Sequence, residues 1–190
     1  MHRCTSPGDE SGLTLVEVLI ATLLLVVLAA GTSTLSIHAI EAMALSRLQT
    51  SAVALATARM EQLRSLDWGY GEASNVLPSS DFATDLSTDP SNGAGTGLRP
   101  SPSAALDVNT PGFVDFLDRH GRWLGTGVTA PAGATFVRRW SIEPDSASAD
   151  TLILQVRVMT VRSSLLVSTS NSPRLRDEAR LVTMKMRKAR

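Results

Sequence analysis

The chain has 190 residues, which leaves room for one modest domain plus one long helix. Eighteen acidic and 18 basic residues cancel to a net charge of zero. A single cysteine, Cys4, excludes an internal disulfide framework and any site built on several thiolates.

In chain order, a polar stretch at residues 1–12 closes on Gly12, and the apolar run 13–30 follows, interrupted by one charged residue, Glu17. At a rise of 1.5 Å per residue that run would extend about 27 Å, close to one hydrocarbon core. A carboxylate near the head of such a run costs a few kcal/mol or more in hydrocarbon, so intramembrane acids are generally functional and partnered. A cut after Gly12 would place a new α-amine about one helical turn from Glu17. With a pKa of about 7.7–8.0, that amine suits a carboxylate in a low-dielectric environment.

The segment GLTLVEVLIATLLLVVLAAG, residues 12–31, resembles the N-terminal signature of type IV prepilins and type II secretion pseudopilins. In those families a prepilin peptidase cuts after the glycine and methylates the new N-terminal residue. The resemblance implies a scissile bond between Gly12 and Leu13, methylation of Leu13, and a filament-assembly role for Glu17. It implies further that Cys4 leaves with the leader. This sequence carries Leu13 where phenylalanine is commonest, and its leader holds Asp9 and Glu10 against Arg3 where a basic leader is usual. A cleavable secretory signal is the competing reading of the apolar run, but Leu28 stands where a small residue is preferred and Glu17 breaks the apolar core.

From 33 to 67 the sequence reads as a second helical stretch, with Ile40, Ala44, Leu48, Ala52, Leu55, Ala58, Leu63 and Leu66 at helical spacing. Glu41, Arg47, Arg59, Glu61 and Arg64 are assigned to its outer surface. Gly31 with Thr32, Ser33 and Thr34 lowers helix propensity and predicts a bend or local melting between the two stretches. One helix over 13–67 would be about 80 Å long. Gly69 and Gly71 predict its stop near Trp68. Residues 72–112 are rich in Ser, Pro, Gly, Asp and Thr and read as a long loop. Strand patterning follows: 113–117 and 122–124 as a hairpin around Asp118–Gly121, then 134–142, then 151–161 with Leu152, Leu154, Val156 and Val158 on one face. Residues 179–188 close the set, with Val182, Met184 and Met186 on one face and Thr183, Lys185 and Arg187 on the other.

The zero net charge hides a polarity. Residues 67–118 carry eight acids and one base, a balance of −7, whereas 119–190 carry thirteen bases and five acids, a balance of +8. These halves neutralise one another within a folded head, or meet between neighbouring subunits, where complementary charge fixes register. No metalloprotease, nucleophile-elbow or P-loop pattern occurs. His120 reads as a turn residue, and Asp81, Asp85 and Asp89 as solvated loop acids without the spacing of a calcium loop. The basic end, residues 174–190, raises DNA as a partner, but it lacks aromatic interleaving. No catalytic, metal or cofactor site is assigned.

The segments ATARMEQLRSLDW (56–68) and TFVRRWSIEP (135–144) look like those of PilV-type pilus modification proteins. The resemblance implies an α+β, type IV pilin-like fold in which a long N-terminal helix packs on a small antiparallel sheet. The expected organisation is a leader at 1–12, a transmembrane or filament-core helix at 13–32, an amphipathic helix at 33–68, a loop at 69–112 and a β head at 113–190. The implied function is that of a minor structural subunit of a type IV pilus, single-pass in the inner (cytoplasmic) membrane, N-terminus inside and head outside, before assembly. The implied partners are the prepilin peptidase, other pilin or pseudopilin subunits and the inner-membrane assembly platform. A type II secretion minor pseudopilin and a pilus-tip module binding DNA or surfaces are the alternatives.

Overall fold

The computed structural model of the chain describes residues 14–68, 95–165 and 175–187. Its elements, in order, are helix α1 (Leu15–Ser65), strands β1 (Val114–Leu117), β2 (Trp123–Gly125), β3 (Phe136–Pro144) and β4 (Thr151–Thr160), a short helix α2 (Val161–Ser164) and strand β5 (Ala179–Met186). The chain divides into two compact units, residues 1–44 and 45–190.

In the first unit every described residue of α1 is exposed. The helix runs through Gly31 without a break, so the helix does not melt there. The hydroxyls that lower helix propensity find acceptors within the helix. Ser33 and Ser36 donate to the carbonyls four residues back (2.8 and 2.9 Å), and Thr32 and Thr34 to those three residues back (3.0 and 2.8 Å). Their polar groups are thereby satisfied inside the helix.

In the second unit the five strands form one antiparallel sheet in the order β2-β1-β3-β4-β5. Alternation along β4 sends Leu152, Leu154, Val156 and Val158 into the core, as their spacing predicts, where they meet Trp140 and Ile142 of β3 and Ala52, Ala56, Met60 and Leu63 of α1. Burying each large apolar side chain stabilises the head by about 1.5–3 kcal/mol. The buried stripe of α1 differs from the expected one. Ala56, Arg59 and Met60 face the sheet, while Ile40, Ala44 and Ala58 are exposed. Ala58 lies two residues beyond Ala56, about 200° around the helix, and so on the opposite side.

The main correction concerns Arg59, assigned by sequence to the surface and found 2% exposed. Its guanidinium stacks on the Trp140 ring, 4.4 Å from the centroid, and pairs with the fully buried Asp115 of β1. Arg138 of β3 holds the same carboxylate through Nε (2.9 Å) and Nη2 (2.6 Å), and its Nη1 donates to the Leu55 carbonyl of α1 (3.2 Å). One carboxylate thus ties the helix to two strands.

On the sheet's other face, Val114, Phe116, Val137 and Met159 form a second small cluster beneath Ala130, Ala134 and Val161. The described part of the loop, 95–112, contributes Leu98, Ala105 and Leu106 to the buried set. The β1–β2 turn packs on α1 through Gly121, whose φ of 80° and close approach to Leu55 both suit the residue without a side chain. α1 ends at Ser65, short of the expected stop. Lys185 of β5 donates to the Arg64 carbonyl (2.6 Å), satisfying one of the helix's last acceptors.

Candidate assembly site

Of the three residues singled out by sequence, Gly12 and Leu13 lie outside the described residues, as do the leader and Asp81, Asp85 and Asp89. Glu17 is described, in the first turn of α1. Thr14 stands just before that turn, and its carbonyl accepts from the Glu17 N–H (2.9 Å) and the Val18 N–H (3.2 Å). The Thr14 hydroxyl also accepts from the Glu17 N–H at 3.4 Å, the geometry of an N-cap residue with glutamate at the third helical position. A glutamate there also sits favourably in the helix dipole. The local sequence therefore starts a helix and fixes where the carboxylate stands.

Around Glu17 everything else is apolar or self-satisfied. From 15 to 37 it is the only charged residue. The Thr22 hydroxyl donates to the Val18 and Leu19 carbonyls, both at 2.9 Å. Leu15, Val16, Leu19, Leu23, Leu24, Leu25 and Leu28 are all more than half exposed. Among the described residues the Glu17 carboxylate has no partner. α1 is long and apolar enough to cross a membrane by its length and composition.

The buried charged side chains among the described residues of the head are, by contrast, engaged within it. Besides the Asp115 cluster, Arg157 of β4 binds Glu178 through Nε (2.9 Å) and Asp107 through Nη1 (3.1 Å). Its neighbour on β3, Arg139, donates to Asn109 Oδ1 (2.9 Å) and the Asp107 carbonyl (2.6 Å), strapping the loop to the sheet. Burial pulls the Arg139 guanidinium below its ordinary value, and the nearby Arg157 charge adds to this while Asp107 opposes it. Burial works against the Asp177 carboxylate. The Thr160 and Ser163 hydroxyls, at 2.5 and 2.7 Å, with backbone N–H groups, nevertheless hold it below the usual carboxylate range. Asp118 is lowered first by the backbone N–H of Arg122 and, against some desolvation, by that of His120. His120 itself lies in this β1–β2 turn, as the sequence predicts.

Among the described residues no group of three or more His, Cys, Asp or Glu side chains is placed to hold a metal ion. Sequence reasoning missed the Asp115 and Arg157 clusters. The available signal was a charge inside an otherwise apolar strand, as in FVDFL (113–117) and FVRRW (136–140), since buried charges are almost always paired. No protein-family model, no curated protein and no solved structure matches the chain.

Proposed function

We propose that the chain is a minor, pilin-like structural subunit of a type IV pilus or a related filament. In this reading a prepilin peptidase cuts between Gly12 and Leu13 and methylates Leu13. The apolar part of α1 then holds the subunit in the inner membrane, and an assembly platform delivers it to neighbouring subunits. The observation that carries the reading is Glu17: the one charge in the exposed, apolar stretch 15–37 of α1, positioned by a capping turn and unpartnered among the described residues.

A carboxylate in that position is unfavourable in lipid by a few kcal/mol. An α-amine set beside it in a filament core removes that penalty only when the subunits dock in register, because a buried ion pair is favourable only with good geometry. Glu17 would therefore report correct docking.

The test is Glu17→Ala in a strain that makes the filament. Cleavage, methylation and membrane insertion should proceed as in the parent, while the variant should be missing from sheared filaments. Incorporation at the parental level would overturn the proposal.

A further inference from the structure

The two edges of the sheet are built differently. β2 is three residues long, and its register with β1 shifts between Phe116 and Leu117. Short edge strands and irregular register are common protections against unwanted pairing. β5 has neither protection. It is eight residues long, contains no proline, and keeps unbroken register with β4 from Ala179 to Met186. Its charges give little shielding, because Arg180 donates to Gln155 (2.7 Å), Lys185 to the Arg64 carbonyl (2.6 Å), and Arg187 pairs with Asp150 (3.0 Å).

The direction of the main chain follows from one bond. The Arg187 N–H donates to the Asp150 carbonyl at 2.8 Å, which makes 187 and 150 a hydrogen-bonded pair. In an antiparallel ladder such pairs alternate. Residues 185, 183 and 181 therefore turn their N–H and C=O groups to β4, and Val182, Met184 and Met186 turn theirs to the open edge. Among the described residues these three have no main-chain partner across that edge. Their side chains are also 59%, 61% and 74% exposed, beside the half-buried Ile153 that pairs with Met184.

We infer that the open edge of β5 is a docking site for an extended strand of another protein, added to the sheet as a sixth strand. A row of main-chain donors and acceptors at alternate residues is matched by a β-strand, and not by a lipid tail or a helix. Main-chain bonds supply the affinity, and alternate side chains the selectivity. The guest strand carries apolar residues at every second position, to continue the row Val182, Met184, Met186. It is neutral or acidic opposite Arg180, whose guanidinium bonds the neutral Gln155 side chain and so keeps its charge near the edge. The inference is independent of Glu17 and of how α1 is used.

The experiment uses the full chain in detergent micelles and, as probe, a short synthetic peptide alternating valine with glutamate. Amide hydrogen exchange at Val182, Met184 and Met186, read by NMR, should be fast in the chain alone and slow by at least about tenfold with the peptide bound. A peptide N-methylated at the amides facing β5 should give no protection. Met184→Lys, which places a charge on the edge, should weaken binding by about tenfold at an unchanged melting temperature. If that variant unfolds, the N-methylated peptide still decides. Four results would each overturn the inference: unchanged exchange at saturating peptide, equal binding of the N-methylated peptide, slow exchange in the dilute chain alone, or protection that rises with the concentration of the chain itself. The last would make a second copy the occupant.

Discussion

Asp115 holds two guanidiniums in a fully buried site, so the three side chains do not contribute alike. Asp115→Asn would leave Arg59 and Arg138 without a counter-charge and should destabilise the head by about 3–5 kcal/mol. Arg59→Met should cost less, because Arg138 still binds the carboxylate bidentately and an excess buried charge is removed. Urea unfolding of the full chain in detergent, followed by tryptophan fluorescence, measures both; a larger loss for Arg59→Met would contradict this assignment. Asp177 predicts a pH dependence of known sign. Its pKa in the folded chain lies below the unfolded value of about 3.9, so its stabilisation is complete above that value. It is lost as pH falls through the lower, folded value. Asp177→Asn should therefore destabilise by about 1–2 kcal/mol at pH 7, and the gap to the parent should close as the pH falls through the lowered, folded value. Neither residue announces itself in the sequence, since a charge in a strand shows that a partner exists but not which distant residue supplies it. Arg59 was harder still. A long side chain at helical spacing fits the surface as readily as the core, and Trp140 and Asp115, which make it a core residue, lie far along the chain.

At the scale of elements, patterning was legible wherever one face is buried and the other is not. β4 shows this best, as its four alternate aliphatic residues all reach the core. α1 was legible in extent and less so in facing. Alanines spread around its second half gave the apolar stripe more than one acceptable position, and contact with the sheet selected Ala52, Ala56 and Met60. Gly31 misled because glycine followed by three hydroxyl residues reads as a weak point, whereas hydroxyls bonded to the preceding turn are compatible with a continuous helix. Two glycines should consequently respond in opposite ways. Gly31→Ala meets nothing within 4 Å and should be neutral or stabilising by up to about 1 kcal/mol. Gly121→Ala must adopt a φ of 80° with its Cβ 2.9 Å from Leu55 Cδ2, and should destabilise by about 1 kcal/mol or more. Thermal unfolding of both variants checks the pair, and equal effects would contradict the turn's packing on α1.

For the whole molecule, the described residues form an α+β head in which the second half of α1 packs on a five-stranded antiparallel sheet, and the described part of the first unit is an exposed, mainly apolar stretch of α1. The buried charges among the described residues of the head are held by internal partners that account for them structurally. The charge at Glu17 is not held in this way, and so the functional reading rests on Gly12, Leu13 and Glu17. Mass spectrometry of the N-terminus of the full protein, isolated from cells that make the filament, tests that reading most directly. The predicted result is a chain beginning at Leu13 with one methyl group on its α-amine. A chain that retains residues 1–12, or one that begins near Gly31, would contradict it.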